Sequence, residues 1–287
     1  MALFYFDALK FARNRCEIYN YGMADHTPYV SVIVPITDQN VHLLSFTMDS
    51  IASQAFGAFE VIVVDGQTRE HSLAIFDAYR HCVARFYTAL DRNLSAMLNK
   101  GAELAKGKFL HFLQPGEFYI SRNSLLILKE FVQQSSEPDL VYTGCIIRHS
   151  LSPPQQLFHP IEEETLKGAK VPYSLQAYWF KKEAVRLTGK FNTAYLIQGG
   201  FDLICRFHRN PTLRKVFLRR ILTDYEYRLR KPKWILRQIF ETLVIIFRHF
   251  GLSKAVFFWI AQNHFRLISW WSKSIKGAFW KRHELEN

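Results

Sequence analysis

An α/β domain built on a mostly parallel sheet is predicted by the order of apolar segments along the chain, and three observations carry it. Two short runs, Tyr29–Pro35 (YVSVIVP) and Phe59–Asp65 (FEVIVVD), are almost wholly apolar and β-branched, the pattern of strands buried on both faces. The stretch between them, Val41–Gln54, places Leu44, Met48, Ile51 and Ala52 at helical spacing. Strand, helix and strand in this order make a right-handed crossover between parallel neighbours.

The pattern then repeats. A helix is predicted around Ser72–His81, a short strand at Ala84–Thr88, a helix around Ser95–Ala105 and a strand at Phe109–Leu113. With 287 residues, 49% hydrophobic and 22% charged, the chain has enough apolar surface to bury a core, which excludes general disorder. The cysteines Cys16, Cys82, Cys145 and Cys205 lie far apart and form no CxxC pair, so neither a disulfide framework nor a zinc site is predicted. A reducing compartment fits them. The histidines His71, His81, His111, His149 and His159 are scattered without metal-ligand spacing and read as surface or core residues.

Charge is distributed unevenly. Residues 1–204 hold 19 basic against 20 acidic side chains, whereas residues 205–287 hold 18 against 5, a balance of −1 and +13. The segment 231–287 also changes in composition: Trp234, Ile235, Ile239, Phe240, Leu243, Ile246 and Phe247 cover one broad side of a helix, with Lys233, Arg237 and Arg248 among or beside them. After Gly251 a second helix carries Phe257, Trp259, Trp270 and Trp271 among Lys254, Arg266 and Lys273. Basic and aromatic residues interleaved in this way suit the interface of an anionic membrane; a helical hairpin packed on the domain, or forming a dimer, is the alternative. No nucleic-acid motif accompanies the charge, so a nucleic-acid partner is not expected. No apolar run approaches the ~20 residues a bilayer crossing needs, and the N-terminus does not read as a signal peptide. The expected arrangement is an N-terminal extension at 1–28, the α/β domain at 29–230 and a basic aromatic helical tail at 231–287.

In open parallel sheets ligands lie beyond the carboxyl ends of the strands. Asp65, directly after VIVV, and Asp91 fall in such loops. A carboxylate there can accept hydrogen bonds from a ribose or a base edge; it can equally be a turn residue. Further on, Asp224 and Glu226 in LTDYEYR alternate with apolar neighbours and read as the exposed face of a strand, while Glu162–Glu164 read as a solvated loop.

The segments VSVIVPITD, DSIASQAFGAFEVIVVDG and LNKGAELAKGKFLHFLQPGE, in this order and spacing, resemble the nucleotide-sugar half of the family 2 glycosyltransferases with a GT-A fold, nearest to those of bacterial exopolysaccharide and colanic-acid type. The resemblance runs over about Ser31 to His208. It implies that Pro35 and Thr37 lie against the nucleotide, that Asp65 binds its uracil or ribose part, and that Asp91, Asn99 and Lys100 line the nucleotide-sugar site. The paired aspartates that hold a divalent cation in such enzymes fall on Leu113–Glu117, where only Glu117 is acidic. The resemblance thus implies a manganese or magnesium ion with Glu117 as its protein ligand.

The segment VPYSLQAYWFKKEAVRLTGKFNTAYLIQGGFDLICRF resembles the acceptor half, with Gln176, Phe180, Gly189, Phe191, Tyr195, Asp202 and Arg206 matching. Three positions depart. The catalytic-base aspartate falls on Gly200, the histidine before glutamine on Leu175, and an aspartate of the nucleotide-sugar segment on Ala96. Asp202 is the nearest carboxylate that could replace the base, although two residues along a helix is about 200° around its axis. It also reads as a helix-start residue pairing with Arg206 one turn on. The implied function is transfer of a sugar from a nucleotide-sugar donor to a glycan or lipid-linked acceptor in cell-surface polysaccharide synthesis. The implied location is the cytoplasm, peripheral on the inner face of the cell membrane. The alternative is a catalytically degenerate relative that binds or scaffolds.

Overall fold

The computed structural model describes residues 18–20, 27–68, 74, 76–89, 92–149, 152–158, 162–167, 175–227 and 232–257. The chain divides into two units, residues 1–161 with 172–229, and residues 162–171 with 230–287.

The first unit is organised by one sheet. Its strands are β1 (Ile18–Asn20), β2 (Val30–Ile36), β3 (Phe59–Asp65), β4 (Arg85–Thr88), β5 (Phe109–Phe112), β6 (Phe118–Tyr119), β7 (Leu140–His149), β8 (Ser152–Leu157), β9 (Tyr178–Lys181) and β10 (Lys215–Tyr227). They run β1-β4-β3-β2-β5-β9-β7-β10-β6, with β8 paired to β7. The four neighbours β4, β3, β2 and β5 are mutually parallel, as the apolar runs predict. β9 is antiparallel to both β5 and β7, so β7 and its parallel partner β10 point the same way as β5. The carboxyl ends of β2, β3, β4, β5, β7 and β10 therefore share one edge. β1, from the N-terminal extension, closes the opposite flank antiparallel to β4.

The helices of this unit include α1 (Leu44–Ala52), α2 (Leu94–Leu104), α3 (Ser124–Gln134), α5 (Lys182–Thr188) and α6 (Gly199–Arg209). Val32, Val34, Val61 and Val63 of the sheet are fully buried in one cluster with Leu44, Met48 and Ile51 of α1 and Leu125 and Leu128 of α3. α2 lies unusually close to the central strand: a Cβ on Gly101 would stand 2.3 Å from Ile33 Cγ2, so any larger residue would push the helix off the sheet. At the amino ends of the strands, Glu60 ties four segments. It accepts from Ser31 Oγ at 2.6 Å, from the amides of Lys106 and Gly107, and pairs with Arg85 at 3.1 Å. The helix predicted at Ser72–His81 lies partly outside the described residues; the segment ends in a 3-10 turn at Arg80–Cys82.

The second unit contains α4 (Glu163–Lys167) and α7 (Pro232–Phe250). On α7, Ile239, Thr242, Ile245 and Ile246 are buried. The other side exposes Leu236, Phe240 and Phe247, by 58%, 64% and 52%, beside a row made by exposed Lys233, Arg237 and Arg248. Among the described residues no helix is long and apolar enough to cross a membrane. The second tail helix is described only over its first turns, through Phe257.

Candidate active site

Pro35, Thr37 and Asp65, three of the residues expected at the nucleotide, lie at the carboxyl ends of β2 and β3. Asp65 is the last residue of β3 and is 2% exposed. Its Oδ1 accepts the Thr68 amide at 2.8 Å, and its backbone carbonyl accepts the Ala89 amide at 2.7 Å. Burial holds the Asp65 carboxyl above its ordinary value, with a small push from Asp38, against hydrogen bonds from Thr68 and Thr88 that pull it down. Thr37 stands beside it. A Cβ on Gly66 would lie 3.2 Å from the Thr37 methyl and 3.1 Å from Met97 Sδ, so β2, β3 and the start of α2 converge here. The Thr37 amide and hydroxyl donate to Asn40 Oδ1 at 2.7 and 3.2 Å, which fixes the loop after β2. Pro35 is buried within β2 in register with Val64, one residue before the strand ends. Asp91 lies outside the described residues.

Asn99 and Lys100 direct their polar atoms elsewhere. Asn99 Nδ2 donates to Phe191 O at 2.9 Å, and its Oδ1 accepts the Phe191 amide at 2.8 Å. Asn93 Nδ2 donates to Thr193 O at 2.9 Å and Ser95 Oγ to Tyr195 O at 3.2 Å. Three polar side chains of one helical segment thus clasp the chain that leads into α6. Lys100 pairs with Glu103 at 2.8 Å and lies over the Tyr87 ring.

The loop after β5 departs from a metal-binding arrangement. Glu117 is 4% exposed, and its Oε2 accepts the amide of Gln114 at 2.8 Å, while Gln114 O accepts the Glu117 amide. From α1, Thr47 Oγ donates to Glu117 O at 2.8 Å and accepts from the Gly116 amide at 2.9 Å. The side chain that sequence offers as a cation ligand therefore closes its own loop. Among the described residues no group of three His, Cys, Asp or Glu is placed to hold a metal ion. Glu117 is thus a lone carboxylate with one oxygen already engaged by the Gln114 amide, a poorer donor set than the one or two free carboxylates that such an ion takes alongside substrate phosphates and water.

Two residues that sequence reasoning set aside or passed over stand at this loop. Asp224, read as exposed, is 4% exposed, because β10 is flanked by β7 on one side and by β6 on the other. It pairs with Arg148 of β7, Nε to Oδ1 2.5 Å. Arg148 also reaches Gly116 O with Nη2 at 3.4 Å and lies 4.9 Å above the Phe118 ring. Burial, with the Glu117 and Asp224 carboxylates adding, pushes the Cys145 thiol up to about 12, so it stays a neutral core side chain.

On the acceptor side, Asp202 is buried and pairs with Arg206 at 2.9 Å, and Arg206 further donates to the carbonyls of Thr188, Gly189 and Lys190. This is the helix-start pairing, and it anchors the loop after α5. The position of the resembled base, Gly200, is closed over: a Cβ there would stand 3.0 Å from Leu175 Cγ and Cδ2. Next to Leu175, the buried Gln176 amide has neither of its polar atoms hydrogen-bonded among the described residues. Its backbone carbonyl is held by His111 Nε2 at 2.8 Å and Thr223 Oγ at 3.0 Å. Burial lowers the His111 imidazole to about 4, so this stacked histidine is a neutral core group.

A sequence model of glycosyl transferase family 2 matches residues 31–114, the segment from β2 through the start of the Glu117 loop. The chain carries a family 2 glycosyltransferase domain. Curated relatives agree: PGL/p-HBAD biosynthesis glycosyltransferases of Mycobacterium bovis and Mycobacterium tuberculosis are 24% identical over 201 residues, covering 69% of this glycosyltransferase and 77% of theirs. Among solved structures, TarS 1–349 of S. aureus superposes with a TM-score of 0.62 at 15% identity, over 82% of this chain and 72% of that one. The mannosyltransferase PcManGT of Pyrobaculum calidifontis, in complex with GDP-Man and Mn2+, gives 0.55 at 16% identity, over 86% and 70%. The glycosyltransferase has the GT-A fold expected of it.

Proposed function

We propose that this enzyme moves a sugar from a nucleoside-diphosphate donor to a glycan or lipid-linked acceptor in the synthesis of a cell-surface glycan. The observation that carries the donor side is Asp65, a buried carboxylate at the carboxyl end of β3 beside Thr37. A carboxylate so placed accepts hydrogen bonds from a ribose or base edge, while the diphosphate extends along the strand ends toward the loop after β5. Uridine and guanosine donors are both supported: TarS has been solved with UDP-GlcNAc, and PcManGT with GDP-Man. In transfer, an acceptor oxygen forms a bond to the anomeric carbon as the bond from that carbon to the diphosphate breaks. The acceptor proton passes to water, and the nucleoside diphosphate departs with added negative charge that the site must stabilise.

A lipid-linked acceptor accords with α7, whose exposed Leu236, Phe240 and Phe247 beside Lys233, Arg237 and Arg248 suit the headgroup region of an anionic membrane. Such a partner accords with a peripheral position on the inner face of the cell membrane. A second reading, binding without transfer, draws on the apolar Leu175–Gly200 corner. Calorimetric titration with UDP and GDP, followed by donor-hydrolysis assays over several nucleotide sugars, tests both. Nucleotide binding with turnover supports the enzyme, binding without turnover on any donor supports the second reading, and no binding removes the donor site.

A further inference from the structure

The unit's carboxyl edge carries a cation, Arg148, that the family resemblance does not assign. Arg148 projects from the end of β7, a strand parallel to β5 and therefore opening on the same edge as Asp65. Three contacts fix its guanidinium. Nε donates to Asp224 at 2.5 Å, Nη2 approaches Gly116 O at 3.4 Å, and the plane lies over Phe118. Gly116 and Phe118 flank Glu117, so the arginine stands at the loop where a paired-carboxylate cation site would be expected. Its Nη1 has no hydrogen-bond partner among the described residues, and its side chain is 36% exposed. Glu117, by contrast, is turned onto the Gln114 amide.

We propose that Arg148 supplies the positive charge that holds the donor diphosphate at the end of β5, in place of a metal ion. The inference rests on the donor reading above. A guanidinium stays charged at any physiological pH and presents a flat fork whose geometry matches two phosphate oxygens. The contacts to Asp224 and Gly116 use the inner side of that fork and leave its outer end for a ligand. Asp224, buried and salt-bridged, holds the arginine in one orientation, so little side-chain freedom is lost when phosphate binds.

Calorimetry in EDTA and in manganese, with uridine, UMP, UDP and GDP as probes, separates the possibilities. The wild type is expected to bind a nucleoside diphosphate in EDTA, and manganese should tighten it little. Arg148→Gln should weaken diphosphate binding about tenfold while leaving uridine or UMP unchanged, with Arg148→Lys intermediate. Because Arg148→Gln strands the Asp224 charge, the double variant Arg148→Gln/Asp224→Asn keeps the test open if the single one does not fold. Unchanged diphosphate affinity in either variant, or equal loss for nucleoside and diphosphate, would overturn the proposal. So would a wild type that binds diphosphate only with manganese. A wild type that binds no nucleotide in either condition overturns the donor reading itself and this inference with it.

Discussion

Leu175 and Gly200 touch across the acceptor side of the site: the space that a Cβ at residue 200 would need is taken by the Leu175 side chain, 3.0 Å away. The two positions where the resembled enzymes carry histidine and the catalytic-base aspartate are thus changed together, and each change accommodates the other. Gly200→Asp alone should overpack this corner and cost ~1–3 kcal/mol. It should lower the thermal midpoint without raising turnover. The pair Leu175→His/Gly200→Asp should recover much of that stability and increase transfer. Melting curves and donor turnover on the three proteins check this; a single variant as stable as the parent would show that the corner has room.

Asp65 carries a pH signature. Burial raises its carboxyl above the ordinary value of 3.8, so the folded protein holds this proton more tightly than the unfolded chain does. Stability from that proton is fully present below the unfolded value and is lost as pH rises through the folded one. Asp65→Asn has no such loss and should gain on the wild type as pH rises through that window, the gap then levelling. Nucleotide binding should move the opposite way in the wild type, growing as the carboxylate forms, and should be weaker by ~1–3 kcal/mol in Asp65→Ala at neutral pH. Urea titrations of wild type and Asp65→Asn that run parallel at every pH would contradict this account.

Asn99 is expected to behave as a positioning residue. Its paired hydrogen bonds to the Phe191 backbone hold the segment entering α6, so Asn99→Ala should cost ~1–3 kcal/mol and lower kcat. The affinity for nucleoside diphosphate should stay within about twofold, since the amide faces Phe191 rather than the nucleotide loops. Loss of nucleotide binding without loss of stability would return Asn99 to the donor site.

The exposed face of α7 makes a separate prediction. Phe240→Ser/Phe247→Ser should reduce co-sedimentation with vesicles rich in anionic lipid, and raised salt should weaken binding of the wild type through Lys233, Arg237 and Arg248. Both substitutions fall on exposed positions, so the thermal midpoint should hardly move. Unchanged sedimentation at all salt concentrations would leave this face to a protein partner.

The parallel half of the sheet was readable in advance because a strand buried on both faces leaves a nearly continuous apolar run, as in β2 and β3, and the shorter β4 and β5 follow in the same strand-helix rhythm. The other half was less so. β7, β9 and β10 combine parallel and antiparallel neighbours, the most distant of them Asp224 of β10 and Phe118 of β6, and no local period records such pairing. Asp224 shows the cost: alternation in LTDYEYR identifies a strand, but whether its polar side meets water depends on Arg148 and β6, both distant in sequence. The same holds for Glu117: residue type marks it as a chemical candidate, while only the hydrogen bond from the Gln114 amide shows it holding the scaffold. For Asp202 the pairing with Arg206 one turn on was open to view in the sequence beside the catalytic alternative, and the structure has that pair.

The triplet Asn99-Lys100-Gly101 supplied much of the resemblance, and its glycine and asparagine have mechanical duties. Gly101 lets a helix settle against Ile33, and Asn99 buttons that helix to the chain at Phe191. A descendant that stopped transferring sugar altogether would still be obliged to keep both, or lose the shape. Surveys that count such triplets across genomes therefore tally architecture, and a working enzyme has to be recognised by how its charges are arranged at the strand ends.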